Sequence, residues 1–231
     1  MNQYWVVIPA AGVGARMQAD RPKQYLSLLD TTVIEHSANV FLTHPRMRGV
    51  VLVLSPEDSY WPGLALNHEK LSIARGGEER CHSVLNGLEF LSSLADDSDW
   101  VLVHDAARPC LQSSDIDKLI EQTAERQQGG LLGLPVADTL KFCQQQKVKK
   151  TIDRTGLWRA LTPQIFRLGE LKQALQQALA DEYLVTDEAS AMEHAGHEPL
   201  MVEGRADNIK ITHPQDLVLA SIFLRQAKEQ A

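Results

Sequence analysis

No apolar run in this chain approaches the roughly twenty residues needed to cross a bilayer. One of the longest, "LVLASIFL" near the C-terminus, covers only Leu217 to Leu224. The first residues lead straight into strand-like "YWVVIP", with no basic leader and no small-residue cleavage site, so neither signal peptide nor membrane anchor is expected. Cysteine is scarce. Cys81, Cys110 and Cys143 are widely spaced and form no CxxC pair, which favours reduced, structural thiols in a cytoplasmic protein over a disulfide frame or a zinc site. A basic excess is lacking too: 23 Lys and Arg against 30 Asp and Glu leave a net charge of −7. That argues against a nucleic-acid partner, though a local basic pocket stays possible.

Familiar motifs are also missing. "AAGVGARM" lacks the third glycine of a dinucleotide fingerprint, no GxxxxGK[ST] phosphate loop occurs, and there is no G-x-S-x-G elbow. His194 and His197 stand too close for an HExxH-type metal site.

What is present suits a single α/β domain. The chain has 231 residues, 44% of them hydrophobic and 23% charged, near the globular average. "YWVVIP", "GVVLVLS", "WVLVHD" and "GLLGLPV" read as strands buried on both faces of a parallel sheet. Helical patterns alternate with them. Thr32 and Glu35 make a capping box before "VIEHSANVFLTH". Val84, Leu85, Leu88 and Leu91 share a helical face, as do Ile116, Leu119, Ile120 and Ala124, and then Leu168, Leu171, Leu175 and Leu179. A last helix follows Pro214. The alternation predicts a doubly wound α/β fold with ligand at the carboxyl ends of the strands. Ala137 to Phe166 breaks the rhythm: polar and rich in Lys and Gln, it reads as a hairpin-like arm leaving the core.

Four clusters could carry chemistry. In the first, Ala10, Ala11, Gly12 and Gly14 permit close backbone approach to phosphate oxygens, with Arg16 and Lys23 as cations beside them. A tight turn with two solvated cations is an equal alternative. In the second, Asp105 ends an apolar strand with Arg108 three residues on, and could hold Mg²⁺ or simply cap a turn. The third, "VEGRADNIKITHPQD", holds Asp207 and Lys210, a second metal ligand and a phosphate clamp unless the segment is only a charged turn. The fourth is "GGEERCHSV", a glycine turn entering a helix. Its Arg80 stands where a helix favours acids, and so needs a local partner. No nucleophile–base pair stands out. Cations and carboxylates at strand ends suit phosphate chemistry, where positioning and charge neutralisation do most of the work.

"PAAGVGARM…PKQY", "GGEERCHSV", "VHDAARP", "TIDRTGLWRALTPQ", "TDEASAME" and "VEGRADNIKIT", in this order from about Val6 to Pro214, resemble the 2-C-methyl-D-erythritol 4-phosphate cytidylyltransferase family. The resemblance implies a Rossmann-like nucleotidyltransferase fold, a mostly parallel sheet flanked by helices with a projecting β-arm at about residues 137–160. It implies transfer of a cytidylyl group from CTP to methylerythritol 4-phosphate in the non-mevalonate isoprenoid pathway, with Mg²⁺. Arg16 and Lys23 would stabilise the reacting α-phosphate and the leaving pyrophosphate. Ala10, Ala11, Gly12 and Gly14 would line the triphosphate, and Gly77, Glu78, Arg80, Ser83 and Ala106 would complete the nucleotide site. Asp105 would hold Mg²⁺, helped by Asp207. Arg108, Thr162, Thr186 and the catalytic Lys210 would surround the acceptor. Thr139 and the catalytic Arg154, on the arm, would serve the partner's site in a homodimer.

Three other readings make different predictions. A cytidylyltransferase for another polyol phosphate, such as ribitol 5-phosphate, would share the loop and the HDAARP-like motif. A non-catalytic regulator would be expected to lose Arg16 or Lys23, and both are present. A dinucleotide oxidoreductase would want an acid closing the second strand, where this chain has Ser55.

Overall fold

The computed structural model describes residues 3–12, 17, 20–64 and 66–230. Strand β1 (Tyr4–Pro9) is followed by a small ribbon of β2 (Ser27–Leu28) and β3 (Thr31–Thr32), then helix α1 (Val33–Leu42) and strand β4 (Met47–Leu54). Next come β5 (Leu71–Arg75), α2 (Arg80–Leu91), β6 (Trp100–Val103), α3 (Ser113–Thr123) and β7 (Gly130–Pro135). A hairpin of β8 (Leu140–Gln144) and β9 (Lys147–Ile152) precedes the long strand β10 (Trp158–Arg167). The chain closes with α4 (Leu168–Ala180), α5 (Glu188–His194), β11 (Leu200–Glu203) and α6 (Pro214–Gln230).

Seven strands form one sheet in the order β11-β7-β10-β6-β1-β4-β5. Pairing is parallel throughout except at β10, which runs antiparallel to both β6 and β7. Apolar side chains alternate between the two faces of this sheet. Val6 and Ile8 of β1 join Leu52 and Leu102 in a core with Ile34 and Phe41 of α1 and Ile116 and Leu119 of α3. Trp5 and Val7 face the other way, with Val51, Val101 and Val103, into a core closed by Val84 and Leu88 of α2, Leu171 of α4 and Ala189 and Met192 of α5. Two buried faces explain why the central strands read as unbroken apolar runs. The three expected helical faces are buried, Leu85 and Leu179 only partly. The capping box is present: Glu35 Oε2 accepts from the Thr32 amide at 2.9 Å. Among the described residues no helix is long and apolar enough to cross a membrane.

The excursion expected over residues 137–166 is shorter than its composition suggests. Its last part, Trp158 to Phe166, belongs to β10 and lies inside the sheet between β7 and β6. Only β8 and β9 leave the sheet, as a separate two-stranded ribbon with nearly all its side chains exposed. Trp158, Arg159 and Ala160 are exposed and Leu161 to Phe166 buried, so the polar start and Pro163 disguise a core strand.

Candidate active site

A cleft of about 260 Å³ opens where the segments after β1, β5, β6 and β11 converge. Its walls are Pro9 to Gly12, Lys23 and Gln24, Gly77 to Arg80 with Ser83, Asp105 to Ala107, and Lys210. Each wall follows a strand's carboxyl end, where a doubly wound sheet leaves its crevice.

The first wall is propped from behind. Gln24 is buried, and its Nε2 donates to the carbonyls of Ala10 at 2.7 Å and Gly12 at 3.0 Å. Those carbonyls are drawn inward, which fixes the turn after β1. Lys23 Nζ donates to the carbonyl of Ile211 at 2.9 Å, tying this segment to the one that carries Lys210. The second wall lies tight against the first: a Cβ on Gly76 would meet Ala11 Cβ at 2.5 Å. Only glycine fits that approach. Ser83 Oγ accepts from the Gly77 amide at 3.1 Å, so the hydroxyl among the lining side chains is spent on the backbone.

Asp105 is the electrostatic centre. One carboxylate oxygen takes Arg80 Nε at 3.1 Å; the other takes Lys210 Nζ at 2.8 Å and faces Arg108 Nε at 3.5 Å. Burial opposes ionisation of Asp105, but Arg80, Lys210 and Arg108 outweigh it and hold the group far below the usual carboxylate range. Arg80 also grips Glu188, the buried first residue of α5, through two contacts of 2.6 and 3.1 Å. Burial pulls the Arg80 pKa down, and Glu188 and Asp105 more than reverse that. Behind Asp105, its amide donates to Thr162 Oγ1 at 3.1 Å, and that hydroxyl meets His104 Nδ1 at 3.0 Å. Asn208 bonds the Thr162 carbonyl at 2.8 Å, and its own carbonyl accepts from Arg108 Nη1 at 2.8 Å.

A family model for 2-C-methyl-D-erythritol 4-phosphate cytidylyltransferase, IspD, matches residues 4–226. The chain belongs to this family. A cytidylyltransferase of this description from Pseudomonas aeruginosa is 56% identical over 220 residues, covering 93% of each chain. One from Pseudomonas putida is 54% identical over 217 residues, or 93% of this chain and 92% of the relative. The crystal structure of the Francisella tularensis enzyme of this name superposes with a TM-score of 0.85 at 37% identity, over 96% of this chain and all of that one. The Rossmann-like nucleotidyltransferase fold expected from the resemblance is the fold observed.

Most residues expected from the cytidylyltransferase resemblance meet in this one cleft. Ala10, Ala11, Gly12, Lys23, Gly77, Glu78, Arg80, Ser83, Asp105, Ala106 and Lys210 all line it. Arg108 and Thr162 are buried directly behind Asp105. Thr186 is exposed, two residues before Glu188. Gly14 and Arg16 lie outside the described residues. Thr139 and Arg154 are exposed beside the β8–β9 hairpin and do not line this cleft. Asp207 does not line it either; its two oxygens take Arg205 at 2.5 and 3.0 Å.

Of the carboxylates expected to hold Mg²⁺, Asp207 does not line the cleft, while Asp105 lines it and its chemistry fits the ion. That carboxylate is ionised and faces the cleft, and Mg²⁺ is commonly held by one or two carboxylates together with substrate phosphates. Gln24 and Glu188 brace the cleft, through Ala10, Gly12 and Arg80, and the sequence reading passed over both. Both sit inside quoted motifs, and an Arg opening a helix called for a carboxylate such as Glu188 without saying which one.

Proposed function

We propose that this chain transfers the cytidylyl group of CTP to 2-C-methyl-D-erythritol 4-phosphate, releasing pyrophosphate, in the making of isoprenoid precursors. An oxygen of the acceptor phosphate attacks the α-phosphorus of CTP and forms a new P–O bond. The bond from that phosphorus to the bridging oxygen breaks, and its electron pair leaves on pyrophosphate. The acceptor is already an anion, so no protein base is needed; the obstacle is repulsion between anions. Family membership favours methylerythritol phosphate over ribitol 5-phosphate as acceptor.

One observation carries the reading: Asp105 gathers Arg80, Arg108 and Lys210 at 2.8 to 3.5 Å on a cleft that Lys23 also lines. Fixed cations of this kind stabilise charge that grows on transferring and leaving phosphates. In this reading Lys23 and Arg16 bear on the α-phosphate and the leaving group, and the amides of Ala11 and Gly12, with Gly14, cradle the triphosphate beside Ala10, whose own amide is held by the Val53 carbonyl at 2.8 Å. Gly77, Glu78, Arg80, Ser83 and Ala106 form the base and ribose side. Arg108, Thr162, Thr186 and Lys210 receive the acceptor. Asp105 would hold Mg²⁺, which when bound neutralises triphosphate charge. Thr139 and Arg154 would act across a homodimer, and the protein would work in the cytoplasm.

The test is pyrophosphate release with purified protein, Mg²⁺ and methylerythritol 4-phosphate, with CTP, UTP, ATP and GTP in turn. Release with CTP and not with the purine nucleotides is the expected result. Release with CTP only when ribitol 5-phosphate replaces the acceptor would overturn the substrate assignment.

A further inference from the structure

Cys81 takes no part in this chemistry, yet it is not isolated. Glu79, just before α2, and Cys81 and His82, on its first turn, bring a carboxylate oxygen, a sulfur and an imidazole nitrogen within 4.8 Å of one another. Among the described residues no other three His, Cys, Asp or Glu groups converge in this way. Cys81 Sγ lies 3.7 Å from Glu79 Oε2. A tetrahedral zinc site spans about 3.6 Å between a sulfur and an oxygen ligand, given bond lengths of about 2.3 and 2.1 Å. His82 Nδ1 is closed off from solvent and has no hydrogen-bond partner among the described residues. Buried polar atoms are nearly always satisfied, and a cation reached by this ring would give it a partner.

A nucleophilic Cys–His pair is the competing reading of these side chains, and two observations oppose it. His82 Nδ1 makes no hydrogen bond to the thiol. Burial, with Glu79 beside it, pushes the Cys81 thiol up and away from thiolate. A cation reverses that balance by taking the place of the thiol proton.

We propose that Glu79, Cys81 and His82 form a site for a thiophilic divalent cation such as Zn²⁺, with solvent as the fourth ligand. On binding, the thiol proton passes to solvent, and one thiolate and one carboxylate balance the two positive charges. The absence of CxxC spacing hid this site in the sequence, because two of its ligands come from a helical turn and the third from the residue just before it. The site also hangs on the cleft. Glu79 lines the cleft, and a Cβ on Gly77, another lining residue, would meet His82 Cβ at 2.5 Å. Drawing Glu79 and His82 onto an ion shifts that turn, so cation and nucleotide oppose each other. This second half rests on the proposed function.

Cobalt(II) is the probe, because thiolate–cobalt charge transfer absorbs in the near ultraviolet. The full chain should develop this absorption at one equivalent of Co²⁺ and lose it on adding Zn²⁺. Cys81→Ser and His82→Asn should abolish it. Cys143→Ser, at the exposed thiol, should keep it. Cys81 is buried, so His82→Asn, at a half-exposed position, guards against a folding defect, checked by circular dichroism. No absorption in the folded wild type, or absorption that survives in both variants, overturns the site. Saturating Zn²⁺ should raise the KM for CTP several-fold in wild type and not in His82→Asn. Cobalt absorption with an unchanged KM would keep the site and overturn its link to the cleft. Absence of CTP turnover would count against the proposed function alone, since the cobalt signal needs no substrate.

Discussion

Arg80 and Glu188 stand 108 positions apart in the chain and meet in a two-pronged ion pair of 2.6 and 3.1 Å. Arg80 opens α2 and Glu188 opens α5, so the contact joins two helix N-termini on one face of the sheet. The remaining nitrogen of the Arg80 fork, Nε, reaches Asp105 at 3.1 Å. A single guanidinium therefore locks together the turn after β5, the end of β6 and the start of α5. Arginine suits this post better than lysine, because its planar fork serves two carboxylates at once.

Glu188→Gln removes half of that lock while keeping volume and shape. The buried neutral amide can no longer balance Arg80, which is left with Asp105 alone. Breaking one partner of a buried pair costs about 3–5 kcal/mol. Because Arg80 is partly open to solvent, the loss here should lie at or below the lower end of that range. With Arg80 released into the cleft, kcat/KM for CTP should fall at least tenfold. Urea unfolding and steady-state rates measure the two effects. Wild-type values for both would show that the pair does not position Arg80.

Lys23→Ala separates anchoring from catalysis. The ammonium spans the cleft to the carbonyl of Ile211, so some loss of local order is expected when it goes. If its charge also stabilises the reacting phosphates, kcat should drop by roughly two orders of magnitude or more, as for lost transition-state donors generally. A change confined to KM would make Lys23 a ground-state contact. Lys23→Met, which keeps the stem without the charge, should behave like the alanine variant.

The central strands and most helices were legible because burial on both sheet faces leaves a short, β-branched apolar run: Val6, Val7 and Ile8 are all fully buried, and the run's length and its Val and Ile content tell it from a buried helix such as Glu188–His194. Edges were harder. β5 carries only one buried residue, Ala74, so its sequence has no strand signature. β10 was hidden by Pro163 and by three exposed residues before its buried stretch. The cleft was legible where chemistry is local, in the small residues after β1 and at Asp105. Long-range partners were not. Nothing about Glu188 alone distinguishes a residue that reaches across to Arg80 from one that caps its own helix, and only the fold decides.

His104 gives the site a pH signature in stability. It is fully buried against the edge of Phe41, and burial depresses its pKa to about 4. In the unfolded chain the value is about 6.5. Between these limits the unfolded state binds a proton that the folded state refuses. Folding stability should therefore be undiminished by this group above about pH 6.5, decline as pH falls toward 4, and be unaffected by it further down. The full span is worth roughly 3 kcal/mol. Urea unfolding at pH 7, 5.5 and 4 should show a steeper decline for wild type than for His104→Asn. Parallel declines would mean that His104 stays paired in both protonation states.

The hairpin provides the last test, because Arg154 and Thr139 are exposed and away from their own chain's cleft. If they complete a neighbour's site, Arg154→Ala and Lys23→Ala should each be nearly inactive alone. Mixed under conditions that exchange subunits, the two variants form heterodimers in which one cleft has an intact Lys23 and receives an intact Arg154 from the other chain. Random exchange of equal amounts makes half of the dimers mixed, each with one complete cleft of two, so activity should recover toward a quarter of wild type. The mixture staying at the sum of its inactive parts, with exchange verified by a tagged subunit, would show that each chain completes its own site. Phe142 and Val148, exposed on β8 and β9, are the side chains whose replacement by Ser should then weaken the dimer in ultracentrifugation.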